Sequence, residues 1–221
     1  MLLAVDTSTA QLGLALYDGA MVTAEQIWTS RARHTVELAP AVSGLLDRNG
    51  LSVKDLVALG IAIGPGSFTS LRVGLAFVKG LALARHLPLI GIPTLDTMAA
   101  CIPVQDIPLA AVLQAGRGRI ALGWYKASEN RWQADGPIQT TNADALAESI
   151  HHPTLIAGEL TAPERQRLER KRKNIQLASP AQSVRRPALL AELAWERWKS
   201  GQVDDAASLA PIYLHVEGGH L

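Results

Sequence analysis

Residues 57–86 constrain the fold more than any other part of this 221-residue chain. They contain an apolar run of strand length (57–63), a glycine loop that begins Gly64-Pro65-Gly66-Ser67, and an apolar run with helical spacing (71–86). Such a loop directs backbone N–H groups and the positive end of a helix dipole towards one point, which suits an anion. The same residues also suit a strand that simply turns into a helix. Their spacing is neither that of a P-loop nor that of the dinucleotide motif G-x-G-x-x-G.

The helix after this loop is predicted to be covered on two sides. Arg72, Lys79 and His86 are seven residues apart and form one narrow stripe, whereas nearly all other positions are apolar or small. A helix that covers only a sheet has one apolar face. We therefore expect this helix to pack on its own sheet and against a second body. A central helix enclosed within one domain is the alternative.

The order of elements predicts an α/β fold with two lobes. Residues 1–103 read as β-β-β-α-β-α-β-α, with Asp18-Gly19 as the signal for a hairpin. A hairpin meander combined with parallel crossovers is the arrangement of the RNase H-like, actin-like architecture. Residues 104–221 are expected to form a second, reduced lobe, which includes helices over 164–173 and 187–200.

Composition and charge exclude several classes of protein. A hydrophobic content of 48% with 19% charged residues is typical of a chain with a folded core. The net charge of +1 gives no general attraction to nucleic acid. The single cysteine, Cys101, excludes an internal disulfide and fits a reducing compartment. With no targeting segment and no apolar run of membrane-spanning length, the sequence predicts a soluble, cytoplasmic protein without membrane association.

A polar cluster follows the first strand. Asp6, Thr7 and Ser8 can hold a metal-bound phosphate, because the carboxylate orders water around Mg²⁺ while hydroxyl and N–H groups meet phosphate oxygens. With the glycine loop, this cluster defines a candidate nucleotide site, for ATP or ADP with Mg²⁺, at Asp6, Thr7, Ser8, Gly64, Gly66 and Ser67. The alternative is an Asx or Ser/Thr turn that satisfies its own backbone. The 6 histidines include no pair at i,i+4 spacing, so no helical two-histidine metal site is predicted.

Several segments together resemble one family. They are LLAVDTST (2–9), HTVELAPAVSGLL (34–46), GIAIGPGSFTSLRVGLAFVKGLAL (60–83), LIGIPTLDTMA (89–99) and APIYLH (210–215). The chain resembles the TsaB (YeaZ) family, the bacterial partner of the threonylcarbamoyl-transferase TsaD in forming N6-threonylcarbamoyladenosine (t6A) on tRNA. The resemblance is dense over residues 1–100 and thin over residues 101–221. Its most specific part is the segment around the glycine loop.

The resemblance implies an actin-like (ASKHA) fold and a non-catalytic role. A TsaB-like chain is expected to bind TsaD, together with the ATPase TsaE and tRNA, in forming t6A at position 37 of tRNAs that read codons beginning with adenine. The same surface is expected to support homodimers. The predicted interface lies on helices 34–48 and 71–86. Its residues are His34, Leu38, Val42, Leu45, Val73, Phe77, Gly80, Leu81 and Ala84. No catalytic residue or metal is implied, since TsaD-like proteins carry His-x-x-x-His where this chain has PTLDTM (93–98).

The role of a basic run near residue 170 stays open at this point. Arg167, Arg170 and Lys171 can neutralise tRNA phosphates, although the interspersed glutamates and the lack of aromatics are typical of a solvated helix face.

Two alternative functions also stay open. The main alternative function is an ATP-dependent kinase or hydrolase that uses the candidate nucleotide site. A peptidase is the other, although the sequence shows no Ser-His-Asp set or zinc motif. The chain also departs from the family at Gln114, where TsaB proteins often have aspartate.

Overall fold

The structure, a computed structural model, describes residues 1–30, 33–116, 118–170 and 173–214. The chain divides into two units. The first combines Met1–Thr97 with Arg186–Ile212, and the second includes Met98–Arg185. The predicted boundary at residue 103 is therefore a few residues too late. The prediction that all of 104–221 belongs to the second lobe is wrong, because Arg186–Ile212 belongs to the first unit.

A mixed five-stranded sheet lies at the centre of the first unit, in the order β3-β2-β1-β4-β5. β1 (Leu2–Asp6) pairs antiparallel with β2 (Gln11–Tyr17), and β2 pairs antiparallel with β3 (Val22–Thr29). β1 also pairs in parallel with β4 (Ala58–Ala62), which pairs in parallel with β5 (Leu89–Ile92). The predicted hairpin meander with parallel crossovers is confirmed.

Helices α1 (His34–Arg48) and α2 (Phe68–Arg85) pack on one face of this sheet. Leu3 and Val5 of β1 lie in the same apolar cluster as the buried residues of both helices. The start of α2 is capped by Ser67, whose side chain accepts a hydrogen bond from the backbone N–H of Ser70 at 3.5 Å. This cap fixes the residue at which α2 begins.

Helix α6 (Pro187–Lys199) covers the opposite face of the same sheet. Leu2 and Ala4 of β1 are fully buried there, in a cluster with Leu190 and Ala194 of α6. A strand whose two faces are both apolar needs cover on both sides. The cover on this side comes from a segment far along the chain, and no local signal in residues 187–200 says which sheet it will cover. This is why the sequence predicts the wrong lobe for this helix.

A six-stranded sheet forms the second unit, in the order β11-β10-β6-β7-β8, with β9 paired to β7. The remaining elements are α3 (Thr94–Ala100), β6 (Leu109–Gln114), β7 (Ile120–Ser128), β8 (Arg131–Ala134), β9 (Gln139–Thr141), α4 (Ala143–Ser149), β10 (Thr154–Gly158), α5 (Ala162–Glu169) and β11 (Ile175–Leu177). β9 and the 3₁₀ turn Val53–Asp55 are elements that the sequence does not predict.

The charged helix predicted over 164–173 is α5, which begins and ends earlier than expected. Thr161 and Glu164 form a reciprocal capping box that fixes its start. The helix ends at Glu169, so Lys173 lies beyond it. No helix in the described ranges is both long and apolar enough to cross a membrane.

Candidate functional site

The glycine loop and the turn after β1 lie in direct contact. The backbone N–H of Ser67 donates a hydrogen bond to the carbonyl oxygen of Ser8 at 2.6 Å. A Cβ atom built on Gly66 would lie 2.1 Å from that same oxygen. Gly66 is therefore required for close approach of two backbone segments rather than for a positive φ.

Thr94, the first residue of α3, holds the same two segments together from a third position. Its Oγ1 atom lies 2.8 Å from Ser8 Oγ and accepts the backbone N–H of Gly64 at 3.0 Å. Asp6 accepts the backbone N–H of Ser8 at 2.8 Å, which is the Asx-type turn that the sequence left as an alternative. All of these side chains are buried, since Asp6 is 3% exposed and Ser8 and Thr94 are fully enclosed.

The six residues of the candidate nucleotide site are therefore brought together, in a closely packed arrangement. Thr7 packs directly against α2, because a Cβ atom built on Gly74 would lie 2.1 Å from the Oγ1 atom of Thr7. Gly64 has a φ of +104° and lies against the backbone of Ile212. The N–H groups of Gly64 and Ser67 already donate within the protein. Nucleotide binding, and with it a kinase or hydrolase activity, stays a prediction.

A long depression runs between α1 and α2, and we call it the α1–α2 groove. It consists of two adjoining parts of about 510 and 380 Å³, which share Ala39 and Phe77. The first part is lined by Thr35, Leu38, Ala39, Phe68, Thr69, Arg72, Val73, Ala76 and Phe77. The second is lined by Ala39, Val42, Ser43, Leu46, Asp47, Ser52, Val53, Phe77 and Leu81. From the first part of the groove to the second, the numbers of the lining residues rise on both helices. α1 and α2 therefore run in the same direction.

The predicted interface residues divide into two groups by burial. On α2, Gly80 and Ala84 are exposed, and Val73, Phe77 and Leu81 are partly buried beside the groove. On α1, His34, Leu38, Val42 and Leu45 are buried, each at most 3% exposed. Leu38 and Val42 nevertheless line the α1–α2 groove, so contact of these two residues with a partner stays a prediction, as does that of His34 and Leu45. The outward side of α1 instead carries Thr35, Ala39 and Ser43.

Sequence reasoning placed Arg72 on the polar stripe of α2 but missed Phe68, which lies beside it at the surface of the groove. Phe68 is 53% exposed, and the guanidinium carbon of Arg72 lies 3.6 Å from the centre of its ring. This arrangement is a cation–π contact at the N-terminal end of α2. The signal was present in the sequence as an aromatic residue and an arginine four positions apart, which places them on one side of a helix.

His34 lies at the start of α1 in a buried, polar setting. Burial lowers the pKa of its imidazole below the ordinary value, and its hydrogen bonds to the backbone of Thr9 and Gln11 and the nearby carboxylates of Glu37 and Asp6 offset only part of this effect. Its Nε2 atom is buried and has no hydrogen-bond partner within the described part of the chain. His34 is therefore neutral near pH 7, and it is packed inside the protein at the first residue of α1.

The residues proposed to contact tRNA lie on α5 and just after it. Arg167 pairs with Asp144 at 3.3 Å on the surface, and Arg170 is exposed at the end of the helix. Lys171 lies outside the described residues. The neighbouring Arg165 instead donates to the carbonyl of Ala178 at 2.7 Å. The segment thus has exposed cations, one of which is already in a surface ion pair.

Gln114, the position where the chain departs from the family pattern, has a structural role in the second unit. Its side-chain amide donates to Glu164 at 2.7 Å and to the carbonyl of Glu159 at 3.2 Å. Glu159 also pairs with Arg185, which is 2% exposed. An amide at position 114 provides the donors that these acceptors need, whereas a carboxylate would face a second carboxylate at Glu164.

Comparisons with known proteins agree with this architecture. A family model described as TsaD, tRNA N6-adenosine threonylcarbamoyltransferase, matches residues 22–190. The tRNA threonylcarbamoyladenosine biosynthesis protein TsaB of Bacillus subtilis is 30% identical over 220 residues, which cover 97% of this chain and 94% of that protein.

Solved structures give the same fold. YeaZ from Pseudomonas aeruginosa matches with a TM-score of 0.80 at 24% identity, over 96% of this chain and 99% of that chain. The ROK hexokinase from Thermus thermophilus matches with a TM-score of 0.50 at 10% identity, over 90% and 99% of the two chains. The predicted actin-like α/β fold is confirmed. With a relative aligned over nearly its whole length and a family model over most of its residues, the chain belongs to the TsaB (YeaZ) family.

Proposed function

We propose that this chain is a non-catalytic subunit in the formation of t6A on tRNA. It binds a TsaD-type transferase through the α1–α2 groove, acts together with a TsaE-type ATPase, and meets tRNA through the complex. Membership of the TsaB family supports the role in t6A formation, since the Bacillus subtilis relative is named for it. The observation that carries the role of a binding subunit is the outward surface of α2.

That surface is apolar or small where a helix packed only on a sheet would be polar. Leu71, Leu75 and Val78 face the core, yet Ala76 and Gly80 on the opposite side are exposed and uncharged. Leu83 lies on the same side of α2, two turns after Ala76, and is 64% exposed. Rows of small residues on α1 and α2 allow other helices to approach closely. Two helices of a partner can therefore complete a four-helix arrangement with them.

The packing of the candidate nucleotide site supports a non-catalytic role. The N–H groups that would bind a phosphate at the start of α2 include that of Ser67, which is bonded to Ser8. The Asp6 carboxylate is buried and holds its own turn. Within this proposal, the glycine loop fixes the start of α2 and so positions the groove.

The proposal is tested by reconstituting threonylcarbamoyl transfer to tRNA from purified components, with t6A measured by nucleoside mass spectrometry. We expect t6A to form only when this chain is present with the TsaD-type and TsaE-type proteins. Ala76→Asp should abolish t6A formation and co-elution with the transferase, because a carboxylate would be buried unpaired at the interface. Ala76 is exposed, so this variant should fold like the wild type.

The matched control is Ala145→Asp, the same change at an exposed alanine of α4 in the second unit. It should leave t6A formation and co-elution intact. If t6A forms equally well without this chain, the proposed role is wrong. If Ala76→Asp is as active as Ala145→Asp, the transferase does not bind at the α1–α2 groove.

A further inference from the structure

The charges that line the α1–α2 groove lie at its two ends. Arg72 is the one charged residue among the described residues that line the first part, near the start of both helices. In the second part, Asp47 near the end of α1 is the one charged residue of the lining that the structure describes. Between them the described lining is apolar, small or hydroxyl-bearing. The groove therefore has a positive end and a negative end.

The backbone reinforces this polarity. Because α1 and α2 run in the same direction, their N-terminal ends lie together near Arg72 and their C-terminal ends lie together near Asp47. Helix dipoles make the N-terminal ends positive and the C-terminal ends negative, in the same sense as the two side chains. Arg72 is nine positions before Leu81, which lines the end with Asp47, so the charges are about 14 Å apart along the groove.

We propose that Arg72 and Asp47 set the direction and register of the helix that occupies the α1–α2 groove. The occupant is a helix of the transferase-type partner that runs antiparallel to α1 and α2. It carries a carboxylate near its C-terminal end, opposite Arg72, and a lysine or arginine roughly nine residues earlier, opposite Asp47. The inference rests on the proposed function, because it assigns the chemistry of the partner that the groove binds.

Complementary charge supports an antiparallel occupant. Such a helix places its negative C-terminal end against the positive ends of α1 and α2, whereas a parallel helix would bring like ends together. Charges placed at the rim of an interface act mainly on recognition and on association rate, while the apolar contacts between them contribute most of the affinity. Arg72 and Asp47 are thus specificity-determining residues, beside the apolar anchors Phe68 and Phe77.

The test is calorimetric titration of this chain with the TsaD-type transferase of the same organism, at about 50 and about 300 mM NaCl. We expect Arg72→Glu and Asp47→Lys each to raise the Kd by about tenfold or more at the lower salt, because each brings like charges together. The loss should be smaller at the higher salt, where exposed charges are screened. Circular dichroism checks that both variants are folded.

The matched control is Arg48→Glu. It makes the same charge change as Arg72→Glu, one residue away from Asp47, but Arg48 lines a different depression, between α1 and β3. Its Kd should stay within about twofold of the wild type, as expected for a charge outside the contact. If the wild type binds the transferase and all three variants bind equally well, this inference is wrong while the proposed function stands. If the wild type does not bind the transferase at all, the proposed function fails and the inference fails with it.

A second copy of this chain is the competing occupant, since a twofold axis would also bring Asp47 of one copy against Arg72 of the other. Light scattering on the single variants and on the double variant Arg72→Glu/Asp47→Lys separates the two cases. Self-association that is lost in the single variants and restored in the double variant, with transferase binding unaffected by either charge, would overturn the proposal. Loss of transferase binding in both single variants and in the double variant supports it.

Discussion

The backbone N–H of Ser67 donates to the carbonyl oxygen of Ser8 at 2.6 Å, so the start of α2 is bonded directly to the turn that ends β1. Nearly sixty residues separate the two in sequence. Gly66 makes the contact possible, because any side chain there would overlap the Ser8 carbonyl. The direction of α2, and with it the groove, depends on this contact.

We therefore expect Gly66→Ala to destabilise the protein by about 2–4 kcal/mol, since the two backbone segments would have to move apart. The measurement is the free energy of unfolding from urea denaturation. Gly80→Ala is the control on the same helix, because Gly80 is exposed and a Cβ atom there would have no described residue outside its own helical turn within 4 Å. It should stabilise the protein by up to about 1 kcal/mol through helix propensity. Equal stability of the two variants would contradict the close-approach explanation.

His34 predicts a dependence of stability on pH. Its pKa is lowered in the folded state, so the unfolded state binds the proton more readily. The contribution of His34 is fully present above its unfolded pKa of about 6.5 and is lost as the pH falls below that value towards the folded pKa. The free energy of unfolding should fall between about pH 7 and pH 5.5, with a slope of at most about 1.4 kcal/mol per pH unit from this residue.

The measurement is urea denaturation across this range for the wild type, His34→Gln and the control His152→Gln, an exposed histidine. His34→Gln should flatten the profile, and His152→Gln should leave it unchanged. An NMR titration of the wild-type histidines gives an independent reading, in which His34 should titrate below its ordinary pKa. A profile that His34→Gln leaves unchanged would show that burial of this imidazole does not couple to folding.

The basic end of α5 gives a prediction about tRNA. Reversing Arg167 and Arg170 to glutamate should leave the affinity of the complex for tRNA within about twofold, and the dependence of log Kd on log salt unchanged. The reason is that these side chains lie on a solvated helix face, where Arg167 already pairs with Asp144. The measurement is filter binding over a salt series. A slope of log Kd against log salt that is smaller by the equivalent of about one or two phosphate contacts would instead show that the segment contacts phosphates.

The sequence predicts the elements of the first unit well because their signals are local. The apolar run before Gly64, the capping hydroxyl at Ser67 and the hairpin at Asp18-Gly19 each depend on a few adjacent residues. Cover for the second face of the sheet depends on contacts between β1 and α6, which are about 190 residues apart in sequence. No periodic pattern encodes such a partner, so the sequence does not indicate which unit α6 joins.

The exposed apolar surface of α2 was predictable from the sequence and the outward side of α1 was not, for a related reason. α2 is apolar almost all round, so an outward apolar surface follows from its composition, and Phe77 and Ala84 lie on or beside it. α1 has a single wide apolar face, and the sequence does not say whether the sheet or a partner covers it. The sheet covers most of this face, as the burial of Leu38 and Val42 shows, although both residues also line the α1–α2 groove. Small residues such as Ala39 and Ser43 give a weaker signal on the outward side.

The packing of α6 on the first sheet has a consequence for folding during synthesis. During synthesis, β1 to β5 emerge long before Pro187–Lys199, so one apolar face of the sheet has no helix to cover it until that segment has left the ribosome. Contacts between residues far apart in sequence form slowly, and an uncovered sheet face in the meantime favours aggregation. The arrival of α6 thus determines when the sheet built from the first strands is covered on both faces.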